Sequence, residues 1–339
     1  MRISRLKEIL RSINTKRILV LGDFFLDQYW SIDPSLVEKS LETGLDAHQV
    51  VEVRLSPGAA GTVTNNLIAV GTGTVEVLGC VGTDGNGFEL SRRLRDRGAV
   101  VDSLFACPEF YTPTYTKPMF RQTGGLPEYE GNRLDIKNRD PLPASVENRI
   151  LDFLSCRFQD YDAVAVLDQV QEKNSGVVTE RAVQLLSELS LRFPEVIVMA
   201  DSRTRITEFR NLILKPNIHE AARAVGIDPD DDLEALVRGM AEMCEAEILL
   251  TRGAEGITTW DGKELVSIPA LPVPGEIDIV GAGDSVTAAA LSSMAAGASL
   301  AEAAEVAVTA ANVTIRKLGT TGTATGEEII DTALRYIDQ

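Results

Sequence analysis

The 339 residues predict a large α/β domain, a mostly parallel sheet with helices on both faces. Three observations carry this. Strand-like apolar runs alternate with helical stretches along most of the chain, the pattern of βαβ units. The first run, Arg17-Ile-Leu-Val-Leu-Gly22, is continuously apolar, as in a strand buried on both faces of a parallel sheet. The length also supports a large core, enough for one big domain or two modest ones; we read residues 1–339 as one.

The elements follow in order. Residues 1–16 are charged and helical in pattern. After the first strand, residues 57–71 read as a Gly/Ala-rich turn feeding a helix. A strand at 75–80, a helix at 87–97 and a strand at 100–105 continue the alternation. A helix near 144–156 precedes a strand at 163–167, and a helix at 177–191 precedes a strand at 196–200. Residues 212–214 are short and strand-like; two helical stretches then lead to a strand at 247–251. The last third is Ala-rich, with helices at 285–297, 299–315 and 326–336. Small residues on one stripe of the first of these permit close packing. Two segments, about 28–55 and 110–137, break the pattern. Both look β-rich with little core of their own, and we expect them to form a small β lid on the α/β body; surface loops are the alternative.

Lysine plus arginine total 33 and aspartate plus glutamate 50, a net charge of −17. That balance argues against a general nucleic-acid binder or an anionic-membrane binder. It leaves room for an anionic substrate, because a few amides and local cations can hold a phosphate inside an acidic protein. No apolar run approaches a membrane span. Cys80, Cys107, Cys156 and Cys244 form no C-x-x-C pair, and only His48 and His219 could assist them. No zinc site is expected, and a reduced cytoplasmic protein is the simpler account.

Chemistry concentrates in Asp278-Ile-Val-Gly281-Ala282-Gly283-Asp284, which follows a Pro-rich turn and opens the first Ala-rich helix. Gly281 and Gly283 allow backbone angles that a side chain forbids. Successive amides at a helix N-terminus make an anion cradle, and Asp284 at its lip could take a proton from an attacking hydroxyl. Taken alone, the motif reads more simply as a tight turn with Asp284 capping the helix.

With its surroundings, this motif resembles the D-T-x-G-A-G-D signature of the ribokinase family of sugar kinases, also called the PfkB family, with Ile279 in the usual Thr place. The resemblance implies a ribokinase-like three-layer α/β/α sandwich with a small β lid. It makes Asp284 the catalytic base and the amides of Ala282, Gly283 and Asp284 the anion hole. Gly22-Asp23-Phe24-Phe25-Leu26-Asp27 is similar to the strand end whose last Asp holds sugar hydroxyls, which marks Asp27. The segment from Pro57 to Leu67 is similar to the family's P-G-G-A-A-N-V-A-x-N-L stretch. Gly58 matches the first paired glycine, Ala59 replaces the second, and Thr62 stands where a substrate-binding Asn is usual.

Asn217-Ile-His-Glu220 is similar to the family's N-x-x-E motif, which implies that Asn217 and Glu220 order Mg²⁺ and its waters. Thr251-Arg-Gly253-Ala-Glu-Gly256 resembles the nucleotide-binding turn along ATP. The resemblance also implies a K⁺ site made by Asp278 and the carbonyl of Val280, closed by the loop at 317–322, and a homodimer formed through the lid. Finer matches, Gly22-Asp23-x-x-Leu26-Asp27-x-Tyr29-Trp30 and Lys317-Leu-Gly-Thr320, are similar to the heptose-7-phosphate kinase domain of bifunctional heptose synthases. Leu167-Asp168 with Lys173 and Gly176 is a looser match. Their nucleotidyltransferase half has no counterpart here.

The expectation is an ATP-dependent sugar or phosphosugar kinase, with heptose 7-phosphate as the leading acceptor. The alternatives are a free-sugar kinase of the fructokinase or ribokinase type, or a non-catalytic regulator on the same fold. No G-x-G-x-x-G follows a strand, and no P-loop or G-x-S-x-G elbow occurs. A phosphosugar needs a local cationic grip; the candidates are Lys117, Arg121, Arg133, Arg203 and Arg205.

Overall fold

The computed structural model describes all residues except 123, 125, 229–231, 320, 338 and 339. Gly125 of the expected Gly124-Gly125 turn and Thr320 of the 317–322 loop therefore lie outside the described residues.

Helix α1 (Ile3–Ile13) leads into β1 (Arg17–Gly22). The chain then passes through β2 (Phe24–Ile32), the two-residue strands β3 (Glu38–Lys39) and β4 (Asp46–Ala47), and β5 (Val50–Ala59), which runs directly into α2 (Ala60–Val70). β6 (Thr74–Gly82), α3 (Gly85–Asp96) and β7 (Val100–Cys107) follow. Next come β8 (Thr114–Phe120), β9 (Tyr129–Glu130) and β10 (Leu134–Ile136). The alternation resumes with α4 (Ala144–Arg157), β11 (Ala163–Asp168), α5 (Glu180–Arg192), β12 (Ile197–Ser202) and β13 (Ile213–Leu214). After α6 (Ile218–Val225) and α7 (Leu233–Cys244) come β14 (Glu247–Thr251), β15 (Ile257–Trp260) and β16 (Leu265–Ile268). Helices α8 (Ala282–Ala295), α9 (Leu300–Thr314) and α10 (Gly326–Ile337) close the chain.

Nine strands form the central sheet in the order β16-β15-β14-β13-β12-β11-β1-β6-β7. Pairing is parallel from β7 to β14, and the β15–β16 hairpin adds an antiparallel edge. The apolar run of β1 explains its central place. Ile18 and Val20 enter the core under α1, α2, α3, α8, α9 and α10, while Leu19 and Leu21 enter the core under α4 to α7. This is the three-layer arrangement expected for period-2 side chains buried on both faces.

A second sheet, in the order β10-β8-β2-β5 with β9 on β8, stands apart from the first. Its strands begin at Phe24 and reach Ala59, past both ends of the segment expected at 28–55. Asp23 alone separates β1 from β2. The helix expected from 177 begins at Glu180, because the Thr179 side chain caps it by accepting from the Ala182 amide (3.3 Å), and Val177 and Val178 are buried loop residues. Among the described residues no helix is long and apolar enough to cross a membrane.

Candidate active site

Strand order reverses beside β1, since the chain lays β6 and β7 on one side and β11 onward on the other. Crevices form at such a switch point, outside the carboxyl ends of the strands. Here a cavity of about 360 Å³ lies between those ends, the second sheet and the start of α8.

The start of α8 is a built turn. Asp278 accepts from the amides of Val280 (3.0 Å) and Gly319 (3.1 Å), which ties the turn to the loop after α9. Gly281 has φ +81°, and a Cβ there would lie 2.4 Å from Thr321 Cγ2. Of the three amides expected in the anion hole, that of Ala282 donates instead to Ile279 O (3.1 Å), because the turn closes on itself. The amides of Gly283 and Asp284 keep no partner among the described residues.

Asp284 faces the cavity from this helix end. Burial, helped by the negative charge of Asp201, pushes its carboxyl up to about 7, against the pull of Lys215 and Arg203. Lys215 is buried, with its ammonium 2.8 Å from Asp201 Oδ2. Burial opposes its charge, but Asp201, Asp284 and Glu220 outweigh that and hold its pKa above the usual value. A Cβ on Gly283 would come 3.9 Å from Lys215 Nζ, an ordinary contact distance that sets the ammonium beside the start of α8.

At the other end, Asp27 projects from β2. Gly58 sits diagonally from it on β5, opposite Phe25, where a Cβ would press within 2.7 Å of the Asp27 carboxyl. Burial raises the Asp27 pKa, partly offset by Lys117 and Arg133. Ala59 and Thr62 line the wall beside it.

Asn217 and Glu220 form a capping box on α6. The Asn217 side chain accepts from the amides of His219 and Glu220, and Glu220 Oε2 accepts from the Asn217 amide (2.8 Å). Both still line the cavity, as does Thr251, whose amide donates to Pro216 O (3.0 Å). Gly253 and Gly256 do not. A Cβ at Gly256 would sit 2.1 Å from Ile268 O, so this glycine is required by the packing of the β15–β16 hairpin. Asp278 lies behind the turn, while Val280 reaches the cavity rim.

The cationic candidates divide. Lys117 and Arg203 line the cavity. Arg121 and Arg205 are corrections. Arg121 turns to Ser31 and Glu128 within the second sheet, and Arg205 is drawn into an ion pair with the buried Asp168 and also donates to Val178 O (2.9 Å). Arg133 pairs with Asp135 (2.7 Å) and stacks on the Tyr115 ring. The sequence reading did not single out Asp201, Lys215, Tyr115, Gln169 or Thr321. Lys215 could have been found from its place beside Pro216-Asn217.

Below the site, Asp23 accepts from the amides of Gln169 (2.9 Å), Val170 (3.1 Å) and Val177 (2.8 Å) and anchors the loop that carries Gln169. Asp168 takes the Ser202 hydroxyl (2.6 Å) and Arg205. Burial, with the charge of Asp23, pushes the Asp168 carboxyl up to about 6.

A mostly parallel α/β sheet with a carboxylate, open amides and a lysine around one helix start, facing a second carboxylate across one cavity, fits a phosphotransferase acting on a sugar. The chain belongs to the pfkB family of carbohydrate kinases, whose model matches residues 24–325. It is 31% identical over 98% of its length to the bifunctional protein HldE of Pelobacter propionicus, and 30% identical over 93% to that of Citrifermentans bemidjiense. It spans 66% and 62% of those proteins' lengths. The fold is shared with phosphofructokinase-2 of Escherichia coli in complex with fructose-6-phosphate (TM-score 0.71, 16% identity, 96% of this chain and 100% of that one). It is also shared with Arabidopsis thaliana ribokinase complexed with ribose and ATP (TM-score 0.66, 17% identity, 94% and 98%).

Proposed function

We propose that this protein transfers the γ-phosphoryl group of ATP to a hydroxyl of a sugar phosphate. The observation that carries the reading is the meeting of Asp284, Lys215 and Asp27 around one cavity that Lys117 and Arg203 also line. Asp27 accepts hydrogen bonds from sugar hydroxyls and orients the acceptor. Asp284, with a carboxyl poised near neutrality, takes the proton of the attacking hydroxyl. The amides of Gly283 and Asp284, with the Lys215 ammonium, face the charge that spreads over the transferring group. ATP lies along Asn217 and Thr251.

Magnesium, when bound, neutralises charge between the phosphates. One Glu220 oxygen serves the capping box and the other remains for its waters, which suits an ion that keeps several of them. Each Asp278 oxygen accepts one amide, so a lone pair on each remains for a potassium ion shared with the Val280 carbonyl. Turnover in potassium should exceed that in tetramethylammonium; equal rates would dispose of the potassium site.

The distal phosphate would meet Lys117 and Arg203. Arg203 has no ion-pair partner among the described residues, and Lys117 contacts the Tyr29 hydroxyl (3.1 Å) but no carboxylate. Together they offer the local cation pair that a dianion needs. The HldE relatives favour a heptose phosphate as that acceptor. ADP release measured across sugars and sugar phosphates tests the reading. A phosphosugar should be preferred, and the Lys117→Ala/Arg203→Ala double variant should raise its KM about 10-fold or more while leaving free sugars little changed. Equal turnover of free ribose or fructose would leave a plain sugar kinase. No ADP release with any acceptor would favour a non-catalytic role.

The second sheet covers the acceptor end as a lid, and we propose that it also joins two copies into a homodimer. Strand β5 forms one edge of this sheet and carries Val50, Val51 and Val53 at 42%, 41% and 52% exposure.

A further inference from the structure

We propose that the methyl group of Ala59 determines which sugars the site accepts. This rests on the kinase reading above and names a specificity-determining residue within it. Ala59 has φ +52° and ψ −121°, a backbone state that a Cβ opposes and that glycine enters freely. Four described non-glycine residues have positive φ: Ala59, Asn174, Asn211 and Glu245. Two are asparagines, the type that tolerates it best, and Glu245 ends α7 in the ordinary left-handed region. Ala59 alone of the four lines the cavity.

Its backbone is held from both sides. Ala59 pairs with Phe24 across β2 and β5, and the next amide, Ala60, donates to Asp23 O (3.1 Å) where α2 begins inside the core. Such strain persists where the surroundings over-determine it, and it concentrates at ligand clamps. At the neighbouring Gly58, a glycine is needed because Asp27 fills the space a Cβ would take. At Ala59 the backbone asks for glycine, yet an alanine is present and lines the cavity.

That methyl stands beside Thr62, whose Cγ2 lies 3.6 Å from where a Cβ on Gly281 would be. The Ala59–Thr62 wall therefore runs from the Asp27 end of the cavity toward the anion-hole turn, past the place of the attacked hydroxyl. The Ala59 side chain has no polar atom, so an acceptor that sets a hydroxyl or hydroxymethyl group against it would lose water and gain no partner there. The accepted class is sugars and sugar phosphates that present hydrogen to Ala59.

Ala59→Gly tests both halves. The variant should melt about 1–3 °C above the parent, since relief of strain exceeds the entropy lost by adding a glycine. With ribose, fructose, fructose 6-phosphate and sedoheptulose 7-phosphate, the ratio of kcat/KM between the best and the poorest acceptor should fall about 10-fold or more. The KM for ATP should not change. A melting point no higher than the parent's would overturn the strain, and a ratio within about twofold of the parent's would overturn the selection. Absence of ADP release by the parent with all four would count against the kinase reading instead. The ratio would then be read from acceptor dissociation constants by calorimetry, with the same two outcomes.

Discussion

Asp284 has two measurable consequences of its setting. Its folded-state pKa is raised to about 7. Between the ordinary carboxylate range and that value, the folded protein keeps a proton that the unfolded chain has lost. The residue therefore lowers stability progressively as pH rises through this window. Asp284→Asn should melt about 1–3 °C above the parent at pH 8, with the gap closing toward pH 4, while kcat falls about 10²- to 10⁴-fold. Scanning calorimetry and ADP release measure the two effects, and near-normal turnover would remove Asp284 from the role of base. In the parent, kcat/KM should fall on the acid side with an apparent pKa of about 7. Asp201→Asn removes a charge that raises the Asp284 pKa and frees Lys215 to lower it, so this acid limb should move to lower pH. A limb that stays in place would show that Asp201 does not tune the base. Asp284, Asp27 and the Gly281 turn were legible because they sit in contiguous motifs. Asp201 and Lys215 become a pair only when β12 and β13 lie side by side, and sequence spacing carries no trace of that.

At the scale of elements, the end of β11 is joined to the segment that follows β12 by a buried ion pair whose partners are Asp168 and Arg205. Arg205→Ala leaves a buried carboxylate with only the Ser202 hydroxyl, which should cost about 3–5 kcal/mol in urea unfolding. Adding Asp168→Asn should recover part of that loss, because the charge left without its partner is then gone; an unchanged double variant would mean that packing, not charge, dominates. The need of a phosphosugar for a local cationic grip made both arginines candidates, and in the sequence Arg203 and Arg205 looked equivalent. They diverge because Arg205 reaches back to a strand end that only the tertiary structure brings near. The long apolar strands were legible from their burial on both faces. The β15–β16 hairpin was not, since each strand has four residues and the segment follows a turn already read as part of the nucleotide site.

For the molecule as a whole, a net charge of −17 surrounds a cavity lined by Lys117, Arg203 and Lys215. The field outside should slow the approach of ATP at low ionic strength, while the local cations hold it once inside. The dimer proposed through β5 should appear in light scattering as a species of about twice the 36.7 kDa chain mass. Val51→Lys together with Val53→Lys should return it to the single-chain mass with its fold intact; a single-chain species in the parent at micromolar concentration would refute it. That two sheets would form was readable from the interrupted alternation. The depth to which the second sheet roots itself in the first was not, because Phe24 and Pro57 to Ala59 also read as a strand end and a helix-leading turn.

The single residue between β1 and β2 would set the leverage of any swing of the second sheet. Strands are stiff along their length, so a swing of that sheet would pivot near Asp23, which three amides clamp, and near the Ala59–Ala60 junction of β5 with α2. At a rise of about 3.3 Å per residue, Asp27 lies about 13 Å along the lever and Ile32 about 30 Å. A turn of about 10° then carries the tip about 5 Å and Asp27 about 2 Å. Such a swing would move the rim more than twice as far as Asp27, which would stay nearly in register with Asp284.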